Sequence, residues 1–201
     1  MHPAPTGVAD TTTATAPPPV VDARARLLTD HFRHTTKLPA TVRFADDPNT
    51  PPGFVFRRFI DDEVGTKLAR YIAEGSLIRT SDKAVLDHVV VNVWRTDGRA
   101  ISAPELAKCD SSTYFGGDSC TQLAFPNGTL AKVVRNPVFA QTAASDVVTG
   151  APPGLRTELQ AAYPSGTILT ITLYSMNGAG IPLNDAAMLQ LVTIPGINAP
   201  Q

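Results

Sequence analysis

The sequence predicts an α+β fold: a mostly antiparallel sheet with an N-terminal amphipathic helix and short helices near the C-terminus. Two observations predict this class. Helical periodicity appears near both ends of the chain, whereas segments with alternating apolar residues fill much of the part between them. Frequent turn signals, supplied by 18 Pro and 14 Gly, separate these segments at the short intervals expected of neighbouring antiparallel strands.

An amphipathic helix is predicted over residues 20–36. Four of its apolar residues recur at helical spacing: Val21, Ala25, Leu28 and Phe32. Its charged residues lie elsewhere around the helix. The helix is expected to end before Pro39, because proline disfavours a helical conformation in the residue that precedes it.

The first half of the chain also contains three predicted strands, over residues 41–45, 54–60 and 85–95. The second strand is expected to place three apolar residues on one face: Phe54, Phe56 and Ile60. The third has the clearest alternation, with Val89, Val91 and Val93 on one face. Residues 62–72 fit two interpretations, a helix or a strand over residues 67–73.

In the second half, a hairpin is predicted from residues 122–125 and 129–135. The Asn127-Gly128 pair between them tolerates the positive φ that a tight hairpin turn requires. A long loop over residues 136–154 and a short helix over residues 155–163 are expected next.

The last two predicted elements are a strand over residues 167–175 and a helix over residues 185–193. Clean alternation predicts that the strand turns three of its aliphatic residues towards the core, Leu169, Ile171 and Leu173. Thr170 and Thr172 then face solvent or a polar groove. Asn184 is the expected N-cap of the helix, because its side chain can accept a bond from an unpaired amide.

Composition excludes some classes of function. With 17 basic and 18 acidic residues the net charge is −1, whereas a nucleic-acid-binding protein carries a basic surplus. No apolar stretch reaches the roughly 18 residues that a membrane-spanning helix needs. Residues 1–19 contain five Pro, five Thr and four Ala, which is the composition of a disordered linker. Residues 20–201 are expected to form a single domain.

The two cysteines, Cys109 and Cys120, are expected to form a disulfide bond. Ten residues separate them, and the chain lacks the further His and Cys ligands at matching spacing that a zinc site needs. Disulfide bonds persist in oxidising compartments, so the pair favours an extracytoplasmic protein. A cytosolic protein with a disordered N-terminal tail is the alternative interpretation.

The candidate catalytic motifs are incomplete. Gly117-Asp118-Ser119 is similar to the nucleophile block of GDS-type esterases, in which a later histidine acts as the base. Here all four histidines precede Ser119: His2, His31, His34 and His88. The adjacent carboxylates of Asp61-Asp62-Glu63 are expected at a helix N-terminus and not across a catalytic cleft.

The candidate metal motifs are also incomplete. His31 and His34 share a helix surface, but a zinc site needs a third ligand, and His88 is the one remaining histidine in the predicted domain. Residues 110–118 alternate like a calcium loop, yet Phe115 and Thr121 replace the glycine and glutamate of an EF-hand. We therefore expect no catalytic residues, no metal site and no cofactor.

The order of features over residues 85–195 supports a resemblance. A valine-rich strand, a cysteine pair, an Asn-Gly hairpin, a late turn at Pro164-Ser165-Gly166 and a strand ending at Asn177 precede the Pro182-Leu183-Asn184 start of the last helix. This layout resembles the extracytoplasmic domains of actinobacterial, Streptomyces-like, membrane-anchored proteins and lipoproteins. The resemblance implies a place in the cell envelope, at the cell surface or secreted, and assigns no functional residue. The late turn departs from the Pro-Asp-Gly expected of that group.

The sequence thus predicts a non-enzymatic cell-envelope binding or sensing domain, displayed outside the membrane. Its partner is expected to be an envelope protein or a small ligand of unknown identity, with no nucleic acid bound and membrane contact only through an anchor outside this sequence. The alternative is a small secreted hydrolase whose catalytic residues are not recognisable.

Overall fold

The computed structural model describes residues 19–45, 54–61, 68–96, 102–109, 119–138, 154–175, 183–194 and 196–197. The elements within these residues follow in chain order: α1 Ala23–Thr35, β1 Val42–Phe44, β2 Arg57–Asp61, β3 Leu68–Arg79, β4 Val85–Arg95, α2 Ala103–Leu106, β5 Ser119–Ala124, β6 Leu130–Val138, β7 Gly154–Ala162, β8 Thr167–Ser175 and α3 Asp185–Leu191.

The described strands form one antiparallel sheet in the order β1-β3-β4-β8-β7-β6-β5, and β2 pairs with the other half of β3. The predicted mostly antiparallel sheet with a few short helices is confirmed in this part of the chain. β8, the last of these strands along the chain, lies between β4 and β7 and so joins the two halves of the sheet. Val91 stands directly opposite Ile171 in the β4–β8 pair.

The helix α1 lies inside the span predicted for it. It begins after Asp22, whose Oδ1 accepts a hydrogen bond from the amide of Ala25 at 2.8 Å, which satisfies one of the unpaired amides of the first turn. Its apolar side is buried, and Phe32 stacks on Phe54 with ring centroids 4.7 Å apart. The helix therefore covers one face of the sheet with its apolar side.

The helix α3 begins at the predicted cap. Asn184 Oδ1 accepts a hydrogen bond from the amide of Ala187 at 2.9 Å, and Leu183 and Met188 are both buried beside it. The hydroxyl of Tyr163 donates to the carbonyl of Val192 at 2.7 Å, which connects the β7–β8 turn to the end of this helix. Burial raises the pKa of Tyr163.

The main core lies between these two helices and one face of the sheet, which we call the helix-covered face. Its central residues alternate along β4 and β8: Val89, Val91, Val93, Leu169, Ile171 and Leu173. All six are fully buried. Period-two alternation places every second residue on the same side of a strand. The predicted inward orientation of Leu169, Ile171 and Leu173 is therefore confirmed, and the three valines share one face as predicted.

The predicted short helix over residues 155–163 is wrong, because these residues form β7. Glu, Gln and Ala favour helices locally, but β7 pairs with β6 on one side and β8 on the other, and this long-range pairing outweighs the local preference. Its burial alternates, with Thr157, Leu159 and Ala161 towards the core. The predicted loop over residues 136–154 is also shorter than expected: β6 extends to Val138, β7 begins at Gly154, and residues 139–153 lie outside the described residues.

Near the start of the sheet, one prediction is wrong and one ambiguous segment is partly resolved. Ile60 does not share the environment of Phe54 and Phe56: it is 36% exposed, whereas both phenylalanines are buried. The strand begins only at Arg57, so its alternation does not extend back to the phenylalanines. For the ambiguous residues 62–72, the strand interpretation holds from Leu68, where β3 begins, and residues 62–67 lie outside the described residues.

Truncation of Ile171 tests this register. Ile171→Ala should lower the free energy of unfolding by about 2–5 kcal/mol, because it removes a fully buried aliphatic side chain from the centre of the core. Thr170→Ala, one residue away on the opposite face, should cost less than about 1 kcal/mol. Urea denaturation of the two variants gives the comparison. A cost for Thr170→Ala equal to that for Ile171→Ala would mean that the strand is shifted by one residue.

Candidate functional site

The sheet face opposite α1 and α3 is rich in polar side chains. Seven of its half-buried polar and aromatic residues come from three adjacent strands: His88 and Asn92 of β4, Thr170 and Tyr174 of β8, and Arg156, Glu158 and Gln160 of β7. We call these seven residues the polar face. They stand side by side because directly opposed residues of antiparallel strands point to the same side of the sheet.

Tyr174 lies at the centre of one row across this face. The register places His88 on one side of it and Arg156 on the other. The ring centroids of His88 and Tyr174 are 6.4 Å apart, and the Arg156 guanidinium carbon lies 5.9 Å from the Tyr174 centroid. At this separation a guanidinium is attracted to the ring electrons, so the row combines an aromatic surface with a cation.

The two charged side chains among the seven residues of the polar face, Arg156 and Glu158, have opposite signs. Arg156 forms an ion pair with Glu158 on the same strand. Lys132 of β6 is only 2% exposed, and its Nζ donates to the carbonyl of Lys108 at 3.2 Å. Burial lowers the pKa of Lys132, and the negative charge of Glu158 acts in the opposite direction. The result is a surface of both signs that suits polar, weakly charged ligands better than polyanions.

One end of this side of the sheet is covered by α2. A second apolar cluster forms there from Ala103, Leu106, Ala107, Ala162 and Ile168, with Trp94 and Leu130 packed against it. Immediately after α2, the predicted Cys109–Cys120 disulfide is confirmed, with its Cα atoms 5.9 Å apart. The disulfide bond joins the segment that follows α2 to β5, which is an edge strand of the sheet. The bond therefore holds α2 in place beside the polar face.

Asp87 is a buried acid on the helix-covered face and is not among the residues predicted from the sequence. Burial raises its pKa to about 6, and the side chain of Ser175 acts in the opposite direction. A signal for this position exists in the sequence, because Asp87 has the same alternation as Val89, Val91 and Val93 and is therefore directed inward.

The structure does not assemble the candidate motifs of the sequence into one site. His31 and His34 lie on α1, whereas His88 lies on the polar face, so the sheet separates them. His34 Nδ1 donates to the carbonyl of Asp30 at 2.6 Å. Ser119 is exposed at the start of β5. Residues 110–118, with the calcium-like alternation, and residues 62–63 lie outside the described residues.

No group of three or more His, Cys, Asp or Glu side chains that could hold a metal ion occurs within the described residues. In the same part of the chain, none of the helices combines the length and apolarity needed to cross a membrane. Comparisons with protein-family models, with curated proteins and with solved structures gave no significant match.

The disulfide gives a prediction for stability. Reduction should lower the melting temperature, because closing a loop with a sequence separation of 11 is worth about 2–4 kcal/mol. The variant in which Cys109→Ser and Cys120→Ser are combined should melt at the lower temperature and should not respond to the reductant. Two thiols that alkylate freely in protein from its native compartment would contradict the bond and the oxidising location together.

Proposed function

We propose that this chain is a non-enzymatic binding or sensing domain of the cell envelope, displayed outside the membrane, whose ligand binds on the polar face. The observation that supports this most is the row formed by His88, Tyr174 and Arg156. Binding sites combine an aromatic or apolar surface with a few directed polar groups, and this row has both.

The composition of the face suggests the class of ligand. Tyr174 offers a ring for stacking, and Asn92 and Gln160 offer amides that both donate and accept hydrogen bonds. Glu158 and Arg156 add planar groups of opposite charge. Such a set suits a neutral or zwitterionic ligand with several hydroxyl or amide groups, which is the chemistry of envelope glycans and their peptide-bearing fragments.

Two observations support the extracytoplasmic location that we propose. The Cys109–Cys120 bond favours an oxidising environment. The resemblance of residues 85–195 to actinobacterial envelope domains suggests the same place, with residues 1–19 as a linker between this domain and an anchor.

Binding to envelope glycan can be measured directly. Soluble muropeptide fragments added to isotopically labelled protein should shift the amide signals of Thr170, Gln160 and Tyr174. Tyr174→Ala should weaken binding about tenfold, which is the equivalent of losing one stacking contact. Leu27→Ala, which truncates an exposed residue of α1 on the other side of the sheet, should leave affinity unchanged.

Three results would contradict the proposal. Shifts confined to α1 and α3 would place the ligand on the wrong side of the sheet. Absence of binding to both muropeptides and intact cell-wall sacculi would remove the ligand class. Turnover of a fragment by the protein would support the secreted hydrolase instead.

A further inference from the structure

We propose that Asp87 is a buried proton-binding site, and that loss of its proton loosens the pairing of the start of β4 with its neighbours β3 and β8. Asp87 lies on the helix-covered face, so this role does not depend on a ligand at the polar face. The role gives this domain a conformational response to acidity.

The Asp87 side chain is buried among uncharged residues, and this is the first support for the proposal. It is completely buried, and Ser175, directly opposite on β8, is 2% exposed. On β3 the directly opposed residue is Leu77, which is also fully buried. Neither carboxylate oxygen of Asp87 has a hydrogen-bond partner of good geometry among the described residues. An ionised carboxylate in this position loses its water, and the interaction with the Ser175 side chain does not offset that loss.

No charged group of the described residues compensates for this burial. The residues next to Asp87 on the same face, Leu77, Val89 and Ser175, are uncharged. His88 follows it in the chain but points to the polar face. On the helix-covered face Arg135 of β6 is paired with Asp185 of α3. In the β3–β4 turn, Arg79 is paired with the exposed Asp82.

The direction of the pH effect follows from the raised pKa. Burial raises the pKa of Asp87 from about 3.8 to about 6, so the folded protein favours the neutral carboxyl. Binding of the proton to Asp87 stabilises the closed arrangement. This stabilisation is fully present below about pH 4 and is lost as the pH rises through about 6. The closed arrangement is therefore the protonated one.

A register irregularity shows where the sheet can open. Leu77 pairs with Asp87, but the next residue of β3, Ile78, pairs with Val85, so Leu86 has no partner on β3. Such a bulge interrupts the ladder of hydrogen bonds and bends the strand locally. Because the interruption lies next to Asp87, the first residues of β4 can separate while the pairs from Val89 onward stay intact.

Carboxyl NMR and hydrogen exchange on the complete chain test the proposal. The Asp87 carboxyl signal should titrate with a midpoint near 6. In the opened segment Asp87 has an ordinary pKa near 3.8, whereas in the closed one its pKa is about 6. Because of this difference, the equilibrium constant for opening rises roughly tenfold between about pH 5 and about pH 7.5. Amide exchange at Leu86, Asp87 and Ser175, corrected for the intrinsic pH dependence, should show this increase.

Two variants separate the proton site from general effects of charge. Asp87→Asn should abolish most of the increase and should protect these amides at about pH 7.5, because the amide is always neutral. Asp82→Asn removes an exposed carboxylate of the neighbouring turn and should keep the wild-type increase. Both variants retain every histidine, so the difference between them isolates Asp87.

The contrary results are equally distinct. A midpoint below about 4.5 for Asp87 would show that a cation or an unassigned donor stabilises the carboxylate. Equal pH dependence of exchange in wild type and Asp87→Asn would show that another group causes the opening. If Asp87→Asn does not fold, the carboxyl titration of the wild type alone decides between the two outcomes.

Discussion

The pairing of β4 with β8 is the constraint on which the rest of the structure depends. Nine residues of β4, from Asp87 to Arg95, oppose nine residues of β8 in one antiparallel register. Each strand of the pair also has its other neighbour, β3 or β7, so both are interior strands. A shift by one residue would turn the valine and leucine side chains to the polar face and bring Thr170 and Thr172 into the core.

Because successive residues alternate, this single register determines both surfaces of the sheet. On one side it forms the hydrophobic layer that α1 and α3 cover, and it also buries Asp87 at the end of that layer. On the other side it brings His88 next to Tyr174, and β7 adds Arg156. The proposed ligand face and the proposed proton site are thus two consequences of one pairing. The disulfide then positions α2 over the end of the polar side.

Local signals in the sequence were sufficient where each element determines its own structure. The alternation of Val89, Val91 and Val93, the Asn127-Gly128 turn, the Asn184 cap and the isolated cysteine pair predicted features that the structure contains. The helix expected over residues 155–163 was wrong because its residues favour a helix locally, whereas β6 and β8 pair with it from distant parts of the chain.

The polar orientation of Thr170 was predicted, but the row across the polar face could not be, for the same physical reason. This row requires β8 to insert between β4 and β7, and no local pattern near His88, Arg156 or Tyr174 specifies that order. Asp87 was different, since its alternation with the valines already placed it inward. No motif of sequence neighbours identifies such a residue, because its environment is formed by Leu77 and Ser175 from other strands.

The division of the sheet into a packed face and an accessible polar face is the central claim, and solvent relaxation measures it most directly. A neutral soluble gadolinium chelate should broaden the side-chain signals of Asn92, Thr170 and Gln160 while leaving the methyl signals of Val91, Leu169 and Ile171 sharp. Equal broadening of the two sets would contradict the packed core. Protection of both sets would show that the polar face is covered, and it could not then receive a ligand.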